Sequence, residues 1–525
     1  MPDTVEALLT AAATAHPDRL AVIDPLERRT YAELDADSRE LTAGLLAAGI
    51  GAGTRVGLLA ANNTEWVRTA LALTRMGAVL VPLSTLLTPP ELLTQLRVAA
   101  VQVLIAAEEF RGHRYLDDLR TALGANLEVP LRHPAVPSLR TVLTITEAAE
   151  LPADADDVAV ATALAGAVTP ADPLTILFTS GSRGAPKGVV HTHGSALGAV
   201  RAGLADRCIT ADTRLYLPMP FFWVGGLGGG ILSALLAGAT LVTEEIPRPQ
   251  HTLRLLERER VTLFRGWPDQ AETLAREAAA CGADLSSLRP GSLAALLPPR
   301  LRARPGARAD LFGMTESFGP YCGYPADTDM PESAWGSCGR PFAGTEIRIA
   351  DPEGESLPAG EIGEILIRGA HVLRDMCGRT REELFTADGF YRTGDLGRLD
   401  DDGFLFHHGR TDDMVKVSGA TVYPSEVERA LRLLPEVGGV HVTDLPGDTG
   451  PRIAAAVVCA AGTTAESLRT AARGLLSAFK VPAVWLLLDT DEAVPRGGTG
   501  KVDLPALRAL LADRGTTATT TRTTP

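Results

Sequence analysis

The chain has 525 residues, 45% of them hydrophobic and 22% charged, which is ordinary for a soluble globular protein and too long for one core. Its formal net charge of −14 argues against non-specific nucleic-acid binding, which needs a basic face. Six scattered cysteines without a C-x-x-C pair argue against a disulfide framework or a zinc site. The start, Met1-Pro2-Asp3-Thr4-Val5-Glu6, is polar and acidic, and apolar stretches such as Ile231 to Val242 are short and Gly-interrupted. A cytoplasmic protein without a membrane span is expected.

In chain order, Ala21-Val22-Ile23 and Arg55 to Leu59 read as strands, Glu65 to Arg75 as a helix and Ala78 to Val81 as a strand. Val101 to Ala106 and Leu174 to Phe178 repeat the short apolar pattern of buried strands. This alternation predicts an α/β architecture with substantial parallel sheet. The Pro- and Asp-rich stretch from Leu151 to Asp172 reads as a surface connection.

The sharpest local signal follows: Phe178-Thr179-Ser180-Gly181-Ser182-Arg183-Gly184-Ala185-Pro186-Lys187-Gly188. Small hydroxyl residues and glycines let backbone N–H groups close around phosphate oxygens, and Lys187 adds a cation. Gly188 after the lysine excludes a Walker A loop. A plain polar turn between a strand and a helix has a similar composition. His191 and His193 stand at i, i+2 just beyond; satisfied polar contacts are a better reading of that pair than a metal site. Pro220-Phe221-Phe222-Trp223-Val224-Gly225-Gly226-Leu227 is a second Gly-rich stretch. Downstream come Ser292-Leu293-Ala294-Ala295-Leu296, then Leu311-Phe312-Gly313-Met314-Thr315-Glu316, then Tyr391-Arg392-Thr393-Gly394-Asp395.

From about Gly409 the pattern changes, through Gly409-Arg410-Thr411-Asp412-Asp413-Met414-Val415-Lys416, to a helix at Pro424 to Leu434. Strands near Val437 to Val442 and Ile453 to Val458 follow, then a helix from Ser467 to Ala478 and a glycine-rich lysine loop, Pro495-Arg496-Gly497-Gly498-Thr499-Gly500-Lys501. The expected organisation is a large N-terminal α/β domain over 1–410, a small mobile α+β domain over 411–515, and a low-complexity disordered tail over 516–525.

Five motifs in this order resemble the adenylate-forming superfamily of acyl- and aryl-CoA synthetases, luciferases and adenylation domains, over nearly the whole chain. The resemblance implies an ATP-dependent, AMP-forming ligase that makes an acyl adenylate and passes the acyl group on. Thr179, Ser180, Gly181, Ser182, Gly184 and Lys187 would hold phosphates, with Thr315 beside them. Glu316 would be the Mg²⁺ ligand, a hard carboxylate for a hard cation. Phe312, Gly313 and Met314 would flank adenine, with His407 where an aromatic ring often packs. Asp395 and Arg410 would take the ribose, and Lys501 would bridge the attacking oxyanion and the α-phosphate. Asp412 would be the hinge, with Lys416, Ser418 and Gly419 presented for the transfer step.

Three positions depart from the family's pattern, two of them where the acid pocket would lie. Trp223 stands where the family often has His. Leu293 and Ala294 replace the glycines of a Gly-Gly-Ala-Pro segment and forbid its close backbone approach. Arg183 replaces a threonine. A small or flat, aryl-sized acid pocket is therefore expected, with CoA as the acceptor. Two other readings remain at this point: a diazotase that activates nitrite and joins it to an aryl amine in secondary metabolism, and a nucleotide-binding protein without catalysis.

Overall fold

The computed structural model describes residues 2–179, 186–266, 268–410, 415–417, 420–447, 450–476, 480–497 and 501–517. Packing divides the chain into two compact units, one of residues 1–347 and 367–391, the other of residues 348–366 and 392–525.

In the first unit, Val79-Leu80-Val81-Pro82 is buried at every position, as a strand covered on both faces must be. It sits inside a seven-stranded sheet ordered Asp375–Met376, Lys187–Thr192, Pro173–Thr179, Val79–Pro82, Arg55–Leu59, Val103–Ala106, Thr141–Thr144. The last five are parallel, and Lys187–Thr192 pairs antiparallel with Pro173–Thr179. A five-stranded sheet runs Leu263–Phe264, Arg214–Tyr216, Thr240–Val242, Leu20–Ile23, Arg28–Thr30, its first four strands parallel. A shared apolar core joins the two sheets, with Leu58, Leu80 and Leu177 from one, Leu215 and Leu241 from the other, and Trp66, Phe221 and Phe318 among them. Phe312–Met314, Gly319–Gly323 and Arg340–Pro341 form a small antiparallel sheet.

The Leu151 to Asp172 connection holds a helix, Ala155–Ala167. Asp154 caps it, accepting the N–H groups of Asp156 and Asp157, while Asp157 accepts the N–H of Asp154. The aspartates that read as loop residues are a capping box.

A sheet with all but a few strand-end residues in the second unit takes Glu346–Ala350, Gly363–Arg368, Tyr391–Leu399 and Leu405–Arg410 in that order. A hairpin pairs Val415–Val417 with Ala420–Val422. Val437–Leu445, Arg452–Cys459, Val484–Leu488 and Thr516–Thr517 make a further sheet, with Trp485 and Val427 in the core on one face and Leu486 and Leu507 on the other. Among the described residues no helix is long and apolar enough to cross a membrane.

Candidate functional site

Thr179 ends one strand and Lys187 begins the next, and the two stand opposite each other in the antiparallel register. The Ser/Gly loop therefore joins two strands; the following helix starts only at His193. A plain strand-to-helix turn is thus the wrong description. Thr179 is half-buried and Lys187 exposed at the mouth of the loop, while Ser180, Gly181, Ser182, Arg183 and Gly184 lie outside the described residues.

Beside the strand that carries Thr179 lies a one-turn 3-10 helix, Thr315–Ser317. It follows Phe312–Met314, where a Cβ on Gly313 would stand 2.1 Å from the Gly319 carbonyl oxygen, so only glycine allows the strand pair. Phe312 is half-buried, its ring meeting Tyr321 edge-on at 5.5 Å. Glu316 is buried and its Oε1 accepts the Tyr391 hydroxyl at 3.4 Å.

His191 reaches the same turn. Its Nε2 lies 2.7 Å from the Thr315 carbonyl oxygen and its Nδ1 3.4 Å from Ser195 Oγ. The Nδ1 of His193 accepts the N–H of Val5 at 3.2 Å. Both rings are buried, and burial pushes each down to about 4. Among the described residues no group of three His, Cys, Asp or Glu is placed to hold a metal. Each histidine has a ring nitrogen within hydrogen-bond reach of a backbone group from a distant part of the chain.

The depressed values have a consequence for stability. An unfolded histidine takes a proton below about pH 6.5, whereas these two resist it until about 4. Their contribution is complete above about pH 6.5 and is lost as pH falls toward 4, by up to about 3 kcal/mol for each. Denaturation midpoints measured from pH 7 to 4.5 should fall less steeply in a His193→Gln variant than in the parent. Parallel curves would contradict this assignment.

In the second Gly-rich stretch, the backbone N–H of Trp223 donates to the Pro220 carbonyl, and Trp223 O receives the N–H of Leu227, opening a helical run. The chain folds tightly back here: a Cβ on Gly226 would stand 2.1 Å from Pro220 O, and one on Gly225 2.7 Å from Met219 Sδ. The run passes through a π-helical segment, Leu227–Leu232, whose Gly228 lies against the Phe318 ring. Such segments concentrate at functional sites. The Trp223 loop and the Thr315–Glu316 turn are thus neighbours through Phe318. Leu293 donates its N–H to Phe264 O and packs half-buried on the cluster around Phe264 and Leu274, and Ala294 is exposed.

The second unit gathers Asp395, Arg410 and His407 on one hairpin. Asp395 and Arg410 are opposed in register. Asp395 Oδ1 lies 3.6 Å from Arg410 Nη1 and 3.7 Å from His407 Nε2. Gly394 has φ +73°, a conformation glycine adopts without strain, just before the buried Asp395 carboxylate that faces Arg410 and His407. Lys501 is exposed; its carbonyl accepts the Gly497 N–H at 2.8 Å, and an Arg496–Val502 bridge closes the loop. Asp412 and Gly419 lie outside the described residues, as does the side chain of Lys416, whose backbone pairs with Thr421.

Sequence reasoning missed Tyr391 as a partner of Glu316 and the bond from His191 to Thr315. Both join residues more than 70 positions apart, so no local pattern reports them.

The first unit carries a loop between antiparallel strands with a Thr-Glu turn beside it, and the second carries an acid–arginine hairpin. Comparison with known proteins supplies the family. The pattern of the AMP-binding enzyme family matches residues 9–375, and the chain belongs to this family. It is 34% identical to a methyl-dioxo-octahydroindenyl-propanoyl:CoA ligase of Mycobacterium tuberculosis, over 97% of this chain and 99% of that protein. It is 32% identical to a feruloyl-CoA synthase of an Amycolatopsis species, over 90% and 92%. Its fold superposes on the O-succinylbenzoate CoA synthetase of Bacillus subtilis in complex with AMP, at TM-score 0.78 and 24% identity over 98% and 99%. The protein is an AMP-forming ligase. A nucleotide-binding protein without catalysis is set aside.

Proposed function

We propose that the protein is an acid:CoA ligase for a small or flat aryl acid. A carboxylate oxygen attacks the α-phosphorus of ATP, pyrophosphate leaves, and the thiol of CoA then displaces AMP to give the thioester. The observation that carries this reading is the pairing of the loop mouth at Thr179 and Lys187 with the buried Glu316 turn on the neighbouring element. It is supported by relatives named as CoA ligases over nearly their whole length.

Two anionic partners meet in the reaction, so cations and N–H donors must offset their repulsion. Lys187 and Thr179 serve the leaving phosphates with Thr315. Asp395 and Arg410 take the ribose, Phe312 offers a flat face to adenine with Gly313, Met314 and His407 nearby, and Lys501 is the cation between oxyanion and α-phosphate. The donor set fits Mg²⁺: one buried carboxylate, Glu316, suits an ion that is commonly held by one or two carboxylates together with phosphates and water. When bound, Mg²⁺ neutralises phosphate charge. We place the hinge at Asp412 and the transfer-state contacts at Lys416 and Gly419. ATP and CoA as co-substrates suit a cytoplasmic enzyme.

The half-buried indole of Trp223, edge-on to Phe222, supports an aryl acid over a long alkyl one if it lines the acid pocket as its motif does in the family. Release of AMP and pyrophosphate, measured with ATP and CoA, should be fastest with aryl carboxylates and at least about tenfold slower with acids of twelve or more carbons. Trp223→Ala should narrow that gap. Faster turnover of long-chain acids by the parent enzyme would overturn the assignment. Turnover only with nitrite and an aminobenzoate would replace the carboxylate by nitrite.

A further inference from the structure

The Thr315–Glu316 turn is held both by bonds within itself and by three bonds from elsewhere in the chain. Met314 N–H donates to Ser317 Oγ at 3.2 Å, and the Glu316 carbonyl accepts the N–H of Leu373 at 2.7 Å. The Thr315 carbonyl meets His191 Nε2 at 2.7 Å, and the Glu316 carboxylate meets the Tyr391 hydroxyl at 3.4 Å. A carbonyl only accepts, so Nε2 carries the proton. The His191 ring also stands edge-on to Phe318 at 5.0 Å, at the residue where the turn bends through φ 52°. His191 lies four residues beyond Lys187 on one strand, so the strut ties the phosphate-loop strand to the turn.

We infer that His191 and Tyr391 are positioning residues for the divalent cation: His191 fixes the backbone of the Thr315–Glu316 turn and Tyr391 fixes its carboxylate. The inference rests on Glu316 being the metal ligand. A free glutamate samples several rotamers and must be ordered when the cation arrives. One held by a hydroxyl on a pinned backbone is ordered in advance. Partners of this kind, one shell out from the ligand, typically change metal affinity by about 10–100-fold when removed.

The test is Mn²⁺ binding, followed by electron paramagnetic resonance, in the presence of the non-cleavable analogue α,β-methylene-ATP. AMP binding without metal is measured in parallel. Tyr391→Phe and His191→Leu should each raise the Mn²⁺ Kd about tenfold while the AMP Kd stays within twofold. His191→Gln, which keeps an N–H donor, should recover part of the loss. It and Tyr391→Phe decide the matter should His191→Leu fail to fold. If Glu316→Gln weakens Mn²⁺ but Tyr391→Phe and His191→Gln bind it like the parent, the positioning roles are wrong and the ligand assignment stands. If Glu316→Gln leaves Mn²⁺ affinity unchanged, the ligand assignment itself is wrong and the inference falls with it.

Discussion

Lys501→Ala is expected to slow adenylate formation by about 10²–10³-fold, the usual loss for one preorganised donor at developing charge. Thioester formation from a supplied acyl adenylate should keep most of its rate, because the phosphate centre has already reacted. The composition adds weight to this residue. Only four of the 50 lysines and arginines are lysines, and three of those four, Lys187, Lys416 and Lys501, fall in the nucleotide motifs. On the proposed assignment, a chain that uses arginine almost everywhere else places compact ammonium groups where a point charge would enter a crowded anionic centre. Arginine carries the same charge on a planar fork of different reach, so Lys501→Arg should be nearly as slow as Lys501→Ala. A pre-steady-state measurement of both half-reactions reads the difference. Equal slowing of the two steps would move Lys501 out of the adenylation chemistry and into a general structural role.

Asp395→Ala is expected to raise the KM for ATP by about 10–100-fold, the range for removing hydrogen bonds to a charged group. The carboxylate is buried, 3.6 Å from Arg410 and 3.7 Å from His407, so these neighbours restrict its orientation. The loss should be specific to the ribose. The parent should discriminate against deoxy-ATP lacking a ribose hydroxyl, and the variant should discriminate far less. Steady-state kinetics with ATP and its deoxy analogues, on a variant whose melting temperature matches the parent, separates this from misfolding. Unchanged discrimination would remove the sugar from Asp395.

The apolar strands were legible because burial on both faces demands unbroken hydrophobic runs, as at Val79–Pro82. The Ser/Gly stretch after Phe178 was legible as a mark of the AMP-binding enzyme family. Its local geometry was not. Lys187–Thr192 is a short half-polar strand at the antiparallel side of the sheet, and its pairing with Pro173–Thr179 is a tertiary fact. The Ala155–Ala167 helix was hidden by its own cap, since aspartates favour turns and helix starts alike. The π-helical segment at Leu227–Leu232 leaves only a run of glycines in the sequence, which several backbones would satisfy. His191 was correctly read as a satisfied histidine, but its partner, the Thr315 carbonyl, lies 124 positions away and carries no side-chain signature.

The reaction itself can be read from one isotope experiment. With a preferred carboxylate labelled with ¹⁸O, attack on the α-phosphorus and later displacement of AMP should leave one labelled oxygen in the phosphate of AMP. Unlabelled AMP, with the isotope in pyrophosphate or inorganic phosphate, would contradict the adenylate.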